Sequence, residues 1–358
     1  MTSEYVSNEE IVQAARRNLP QGAWDFVSGA SESETTQRRN RLAFDRIAFR
    51  PRVLRDVSHV DTSTEFLGES LRIPVMLAPV GGLQNFTPEG AAASTKAAAE
   101  FGIMHVLSSV TEPTLEDTAS AVDYPKMFQL YLHGDWEWTV GQIARIKEAG
   151  FKALCITVDT ASYSRRERPL LGRTTPVTVR DPSARSHQAS VTWETIDRIK
   201  DEAGLPLMLK GIATAEDAAI ATEHGIDVVW VSNHGGRQLD HGLGTMDMLG
   251  EIVDAVDGKA EIVLDGGVQR GGDIAKAVAL GVKAVAIGKM QVWGLGANGQ
   301  AGLVRLLEIL EEELTVAMGL LGTPSIGDIT SDYVCEAEPV TSPHEMSSWV
   351  NMPVSRIM

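Results

Sequence analysis

A histidine and an arginine stand three positions apart just beyond a short apolar run, in VVWVSNHGGRQLD at residues 228–240. The run at 228–232 has the composition of a strand that is buried on both faces. His234 exchanges a proton near neutral pH, and Arg237 binds a carboxylate through two parallel hydrogen bonds. The pair predicts acid–base chemistry on a carboxylate, although a histidine in an ordinary turn would leave the same local pattern.

Three more polar residues stand at the ends of apolar runs. Lys210 closes LPLMLK, and burying an unpaired ammonium group is costly, so this position favours a functional lysine over a structural one. Asp159 closes LCITVD, where it could equally cap the helix that follows. Tyr131 in FQLYLHG could be an aromatic residue at a rim. These residues form one site only if the fold brings the strand ends together.

A repeated unit would do so. Eight apolar runs are each followed by a polar or glycine turn and a capped helix, and strands that alternate with helices form parallel sheets. Eight units predict an α/β protein with a (β/α)8 TIM-barrel fold, in which sites lie at the carboxyl ends of the strands. We predict one domain over residues 1–358 with its barrel core at about 73–320. The runs cover residues 74–78, 103–107, 127–131, 154–159, 206–210, 228–232, 261–265 and 283–287.

Helices precede the barrel. Ser7 and Glu10 form a capping box for a helix that ends near Pro20, and a second short helix runs to Gly29. The arginine-rich segment 38–55 is typical of a solvated face or an ion-pair belt.

The barrel also carries later additions. Residues 160–190, rich in Arg, Pro, Ser and Thr, predict a mobile lid or an excursion over the barrel mouth. A helix is predicted at about residues 299–318. Residues 335–358 predict an extended tail that could pack on a neighbouring subunit.

Two glycine-bearing turns follow the seventh and eighth strands. DGGVQRGGD occupies residues 265–273 and IGKM residues 287–290. Backbone N–H groups in such turns bind phosphate, helped here by Arg270 or Lys289. Barrels of this kind commonly bind phosphate after these two strands, so the turns predict a phosphate site.

Composition limits the partners. The chain has 48 acidic and 32 basic residues, a formal charge of −16, which argues against nucleic acid or an anionic membrane as the main partner. Its two cysteines, Cys155 and Cys335, predict neither a disulfide framework nor a metal site. No signal peptide, membrane anchor or apolar run of transmembrane length is present in the sequence, so we expect a cytoplasmic protein.

The motifs together resemble those of the FMN-dependent α-hydroxy-acid oxidase and dehydrogenase family, which includes glycolate oxidase, lactate oxidase, mandelate dehydrogenase and the flavin domain of flavocytochrome b2. SNHGGRQLD at 232–240 is the most specific piece, and TVD at 157–159, LKG around Lys210 and DGGVQRGGD at 265–273 occur in the matching order. The resemblance covers about residues 8–333. It implies FMN as cofactor, a small 2-hydroxy acid as substrate, dioxygen or another electron acceptor, and a homo-oligomer, since the family is often tetrameric.

The resemblance also implies roles for single residues. His234 would be the base, whether the substrate α-carbon gives up a proton or a hydride, and Asp159 would stabilise the imidazolium. Lys210 would stabilise negative charge on the flavin. Arg237, Arg166 and Tyr131 match substrate-binding residues. The positions that match FMN contacts, together with the turn residues that replace the family's arginines, are Pro79, Val80, Gly81, Ser108, Gln129, Thr157, Ser232, Asp265, Gly266, Gly267, Gln269, Arg270, Gly288 and Lys289.

Several positions depart from the family pattern. The N-terminal segment reads GAWDFVSGA, with Trp24 and Phe26 and no substrate-binding tyrosine, which implies one lost hydrogen bond to the carboxylate. Gln269 and Lys289 stand where the phosphate turns usually carry arginines, which implies weaker FMN binding. Val110 replaces the tryptophan of glycolate oxidase after the second strand, and Leu83 and Phe86 make the loop after the first strand apolar, so the pocket should be roomy and apolar.

Three functions remain open from the sequence. The favoured one is oxidation of an (S)-2-hydroxy acid with a medium or aromatic side chain to the 2-oxo acid. The second keeps FMN but changes the substrate, because the tyrosine is missing. The third is a barrel that binds a phosphorylated ligand without redox chemistry, in which His234, Asp159 and Lys210 would lack a role. Gly81 adds an expectation of slow reaction with dioxygen or altered product release, because several efficient oxidases carry alanine there.

Overall fold

Eight parallel strands close into a barrel in the computed structural model, which describes residues 5–173 and 182–351. Each strand pairs with the next along the chain, and the last pairs with the first through Val285 and Val75. The predicted TIM barrel is therefore confirmed. The barrel strands are β4 (Val75–Leu77), β5 (Met104–Ser108), β6 (Met127–Leu130), β7 (Leu154–Thr157), β8 (Leu207–Ile212), β9 (Val228–Val231), β10 (Glu261–Asp265) and β11 (Ala284–Ile287).

Burial on both faces explains why these runs form parallel strands. Every residue of β9 is buried, and so is every residue of β7 and β11, as expected for a sheet covered by helices outside and packed side chains inside. The helices are α1 (Asn8–Asn18), α2 (Gln21–Ser28), α3 (Thr35–Asp45), α4 (Ala91–Phe101), α5 (Leu115–Ser120), α6 (Trp136–Glu148), α7 (Glu167–Leu171), α8 (Pro182–Ala189), α9 (Trp193–Ala203), α10 (Ala215–Glu223), α11 (Thr245–Val256), α12 (Gly271–Ala279) and α13 (Lys289–Leu321).

The N-terminal helices form as the sequence predicts. The Ser7 hydroxyl caps α1 by accepting from the Glu10 N–H, and α2 ends at Gly29. The arginine-rich segment contains α3, which the sequence did not predict. Its Arg41 is buried and pairs with Asp273 at 2.7 Å, so an ion pair rather than a solvated face explains this arginine.

The predicted helix near 299–318 is the second part of α13, which is broken at Asn298 and Gly299. The lid prediction for 160–190 falls partly on residues 174–181, which lie outside the described residues. The described part carries α7 and α8. No helix in the described ranges is long and apolar enough to cross a membrane.

Two small sheets flank the barrel, and the sequence did not predict them. β2 (Thr64–Phe66) and β3 (Glu69–Leu71) form a hairpin that the Glu261 carboxylate, at the start of β10, holds through the Leu67 N–H. β1 (Ile47–Phe49) pairs antiparallel with β12 (Val334–Glu336). The tail expected to extend from Cys335 therefore begins as a strand, and its described part packs against its own barrel, where Trp349 is 2% exposed.

Candidate active site

The carboxyl ends of the strands surround a cavity of about 540 Å³. Its wall includes α2 and α3 residues, the loops after the strands, the first turn of α13 and one tail residue, Glu345. The predicted site residues that line it are Pro79, Val80, Gly81, Tyr131, Arg166, Lys210, His234, Arg237, Asp265, Gly266, Gly267, Gln269, Gly288 and Lys289.

His234 and Asp159 form a pair at the cavity mouth. Nδ1 of His234 lies 3.0 Å from Oδ1 of Asp159. Gly211 permits this approach, because it has φ +114° and a side chain there would overlap Asp159. His234 itself has φ +58°, a left-handed conformation that its N–H supports by donating to the Ser232 hydroxyl at 3.0 Å.

Electrostatics leave the pair as a neutral imidazole and an ionised carboxylate. Burial lowers the pKa of His234, and Lys210 lowers it further against the opposing effect of Asp159. Burial alone would raise the pKa of Asp159, but His234 and Lys210 bring it below its ordinary value. A carboxylate only accepts hydrogen bonds, so Nδ1 carries the imidazole hydrogen and Nε2 keeps a lone pair. The pair is therefore prepared to accept a proton at Nε2.

Lys210 supplies a fixed positive charge below this pair. Its side chain is 5% exposed, and Nζ donates to the Ser232 hydroxyl at 2.8 Å and lies 3.1 Å from the Asp265 carboxylate. Burial opposes the charge, but Asp265 and Asp159 more than compensate and raise the pKa of Lys210. The lysine therefore remains protonated although it is buried.

Two arginines add further positive charge to the wall. Arg166 donates to the Gln238 side chain at 3.1 Å, and Arg237 donates to the carbonyl oxygen of Gly29 at 2.7 Å. Burial lowers the pKa of both, and Arg166 lowers the pKa of Arg237 further. Two half-buried guanidinium groups that repel each other in a chain of charge −16 mark a place for an anion.

Aromatic residues complete the mouth. The ring of Tyr131 stacks on His133, and burial raises the pKa of Tyr131, so its hydroxyl remains a donor. Phe26 lines the cavity with its ring centroid 6.1 Å from that of Phe86. Val110 lines the cavity, whereas Leu83 and Phe86 lie behind its wall. The expected apolar wall is therefore formed by Phe26 and Val110.

Deep polar groups without partners fit a flat heteroaromatic ring such as that of FMN. Nε2 of Gln129 and Oγ1 of Thr157 are buried and have no hydrogen-bond partner among the described residues. The Ser108 hydroxyl donates to Oε1 of Gln129 and so orients the amide. Buried polar groups are normally paired, so these unpaired atoms indicate a polar ligand edge. Five predicted site residues do not line the cavity themselves, but each is hydrogen-bonded to a residue that does: Ser108, Gln129, Thr157, Asp159 and Ser232.

The opposite end of the cavity can hold a phosphate. Gly288 and Lys289 begin α13, and no described side chain caps the N–H groups of its first turn. Gly266 and Gly267, at φ +92° and +94°, form the neighbouring turn. Burial lowers the pKa of Lys289 to about 7, and a bound phosphate anion would favour its charged form.

Arg270 is the predicted phosphate residue that the structure does not bring to the cavity. Its guanidinium contacts the Glu313 carboxylate at 2.6 Å and the Ser348 carbonyl oxygen at 2.8 Å. Gln269 does line the cavity, but its amide N–H donates to the backbone carbonyl of Glu345 at 2.6 Å.

Four polar residues stand out among the cavity residues that sequence reasoning missed. Gln37 accepts a hydrogen bond from Lys289, and Gln188 donates to the Thr157 carbonyl at 2.8 Å. Gln238 directly follows Arg237 in the SNHGGRQLD motif, and this position could have indicated a role in the site. Glu345 stands in the tail, where no local pattern marks it.

Comparisons with known proteins identify the family to which this barrel is similar. The family model for FMN-dependent dehydrogenases matches residues 15–181 and 172–336. A peroxisomal (S)-2-hydroxyacid oxidase of Arabidopsis thaliana is 37% identical over 350 residues, covering 92% of this chain and 96% of that protein. An L-lactate oxidase of Nostoc sp. is 39% identical over 352 residues, covering 91% and 96%. The crystal structure of mandelate oxidase with (S)-2-phenylpropionate superposes with a TM-score of 0.87 at 36% identity, covering 94% of this chain and 100% of that one.

A barrel with a histidine–aspartate pair, a buried lysine and unpaired ring-binding groups defines a flavin-dependent oxidoreductase. With the family match over most of its length, the chain belongs to the FMN-dependent α-hydroxy-acid oxidase and dehydrogenase family. FMN is accordingly its cofactor, and its reaction class is oxidation at a CH–OH group.

Proposed function

We propose that the protein oxidises an (S)-2-hydroxy acid to the corresponding 2-oxo acid, with His234 as the base. The observation that supports this most directly is the His234–Asp159 pair at 3.0 Å, beside a buried lysine and two arginines. When bound, FMN would supply the redox chemistry: it would take up the two electrons with the second hydrogen of the CH–OH group and later give them to an electron acceptor. Nε2 of His234 accepts a proton from the CH–OH group, and Asp159 stabilises the resulting imidazolium.

The two arginines bind the substrate carboxylate in this proposal. The hydrogen bonds among the described residues use Nη1 of Arg237 and the Nε and Nη2 of Arg166, so each guanidinium keeps further N–H groups for a ligand. Tyr131 donates its hydroxyl to the substrate. Lys210 lines the cavity, and its fixed charge would stabilise negative charge that develops on the flavin during oxidation.

We propose a medium-sized or aromatic substrate side chain. Phe26 and Val110 give the mouth an apolar wall, and no tyrosine hydroxyl projects from the Phe26 position. Mandelate oxidase among the solved relatives accords with an aromatic substrate.

Anaerobic bleaching of the FMN absorbance with a panel of 2-hydroxy acids tests the reaction and the substrate together. We expect faster bleaching by (S)-mandelate and (S)-2-hydroxyisocaproate than by glycolate, and none by (R)-mandelate. Failure of every 2-hydroxy acid to bleach the flavin would favour the alternative that Phe26 suggests, an FMN enzyme with a different substrate. His234→Ala should abolish bleaching while FMN stays bound, and retained reduction would refute the base assignment.

The electron acceptor is proposed from Gly81, which lines the cavity. Efficient oxidases of the family carry alanine there, and we propose that this chain reacts slowly with dioxygen or releases product differently. Stopped-flow reoxidation in air-saturated buffer measures the rate, and Gly81→Ala should increase it. Oxidase-like rates in the unaltered protein would contradict this proposal.

We propose a cytoplasmic homo-oligomer, a tetramer by family resemblance. Exposed apolar residues support assembly: Val53 and Leu54 follow Arg52, whose N–H donates to the Leu321 carbonyl, and Leu320 adjoins them on α13. Light scattering after gel filtration measures the assembly. A monomer at micromolar concentration would contradict this proposal. Plant relatives are peroxisomal, so imaging of the tagged protein in its own cells tests the location.

A further inference from the structure

A tail segment closes the phosphate end of the cavity, and we call residues 344–349 the C-terminal strap. Its Met346 and Trp349 are 7% and 2% exposed. The ring of Trp349 lies edge-on to Trp293, itself a cavity residue, with centroids 5.8 Å apart. Ser347 donates to the Asp45 carboxylate of α3 at 3.0 Å. The strap is thus docked by apolar anchors and a hydrogen bond to the barrel.

The predicted phosphate turn after β10 contacts the strap through two of its side chains. Gln269 donates to the Glu345 carbonyl at 2.6 Å, and Arg270 donates twice to the Ser348 carbonyl, at 3.0 and 2.8 Å. Glu313 accepts the remaining Arg270 hydrogen bond. Two of the side chains next to the phosphate end are therefore committed to the tail backbone.

The Glu345 side chain lines the cavity, and an arginine outside the cavity wall holds its carboxylate. Its carboxylate lies 3.0 Å from the Arg168 guanidinium, which also pairs with Glu34. Arg168 stands on α7, two residues after Arg166, so one ion-pair cluster joins the lid region, the turn before α3 and the strap. Lys289 lines the cavity together with Glu345 and is a cationic partner for a phosphate at this end.

We propose that the strap is part of the cofactor site and controls the release of FMN. Glu345 of the strap lines the cavity together with Lys289 of the first turn of α13, so a cofactor phosphate held at that turn would be covered by the strap and would leave when the strap undocks. This inference rests on FMN being the cofactor. We propose that the docked strap also strengthens FMN binding, and because linkage between binding equilibria is reciprocal, FMN must then hold the strap more firmly.

The experiment measures FMN release from the loaded protein, by rapid removal of free flavin and by its fluorescence. Trp349→Ala removes the main apolar anchor, and we expect release at least tenfold faster than in the unaltered protein. Val350→Ala changes the adjacent, 88% exposed residue and should leave release unchanged. Removal of residues 344–358, which leaves β12 intact, is the second variant in case Trp349→Ala fails to fold.

A second measurement separates the strap from a merely structural contact. Amide hydrogen exchange at 344–349 should slow when FMN binds. Two results would overturn the strap proposal alone. One is release within twofold of the unaltered rate in the variants that fold, and the other is exchange that is independent of FMN. A protein that takes up no FMN would overturn the strap and the proposed function together.

Discussion

Replacing Asp159 by asparagine should slow flavin reduction by roughly two orders of magnitude. The change keeps the size of the side chain and removes the charge 3.0 Å from Nδ1 of His234. With charge centres about 4 Å apart and an effective dielectric constant of about 20, the imidazolium loses ~4 kcal/mol of attraction. A hydrogen bond to a charged group contributes about 1.5–3 kcal/mol net. A loss of about 3 kcal/mol corresponds to roughly a hundredfold slower rate, at about 1.4 kcal/mol for each factor of ten.

The pH dependence gives the same prediction a second readout. Asp159 raises the pKa of His234 against the effect of burial. Removing the carboxylate therefore lowers this pKa, and the acid limb of the rate profile, where His234 becomes protonated, moves to lower pH. A variant that was simply misfolded would lose rate without moving the limb.

Anaerobic stopped-flow spectroscopy at saturating substrate measures the reduction rate across pH. The chain offers a matched control in a second histidine–aspartate pair, His224 and Asp197, whose Nδ1 and Oδ1 lie 2.6 Å apart away from the cavity. Asp197→Asn should leave the reduction rate unchanged. A rate for Asp159→Asn within threefold of the unaltered protein, with an unmoved acid limb, would refute the role assigned to this pair.

Three further substitutions address the cofactor and the substrate. Lys210→Met removes the fixed cation, so the reduction potential of bound FMN should fall and flavin reduction should slow roughly a hundredfold; an unchanged potential in dye titrations would contradict the role of the lysine. Phe26→Tyr supplies a donor near Arg237 and should lower the KM for a 2-hydroxy acid by up to about tenfold, the value of one hydrogen bond. Its reduction rate at saturation should not change, and an unchanged KM would show that the hydroxyl does not reach the substrate. Gln129→Leu removes a buried amide whose Nε2 has no partner among the described residues, so FMN should bind roughly tenfold more weakly while the apoprotein melts at a higher temperature. Fluorescence titration and thermal unfolding measure both effects, and a less stable apoprotein would refute the reasoning.

Most of the barrel could be predicted because its signals are local. An apolar run such as that of β9 and a glycine after a helix lie within a dozen residues, and the repeat of eight fixes the closed arrangement. Because sites of such barrels lie at the carboxyl ends of the strands, the sequence also predicted that His234, Asp159 and Lys210 lie close together.

The phosphate end could not be predicted in the same way. Arg270 satisfies the local pattern of a phosphate turn, but Glu313 and Ser348 compete for its guanidinium. Both partners come from segments far along the chain, and nothing in the sequence around them marks the contact. The pairing of β1 with β12 escaped prediction for the same reason.

That pairing has a consequence for how the protein is made. Ile47 pairs with Glu336, far along the chain. The cavity likewise combines Phe26 and Gln37 from the N-terminal helices with Lys289 from the start of α13. A ribosome makes the chain from the N-terminus, so the cavity residues of α2 and α3 are made first but cannot form the complete cavity until almost all of the barrel has been synthesised. We therefore expect flavin to bind only after the barrel has been completed. Because closing the barrel requires contacts between distant parts of the chain, we also expect slow folding relative to proteins with local contacts.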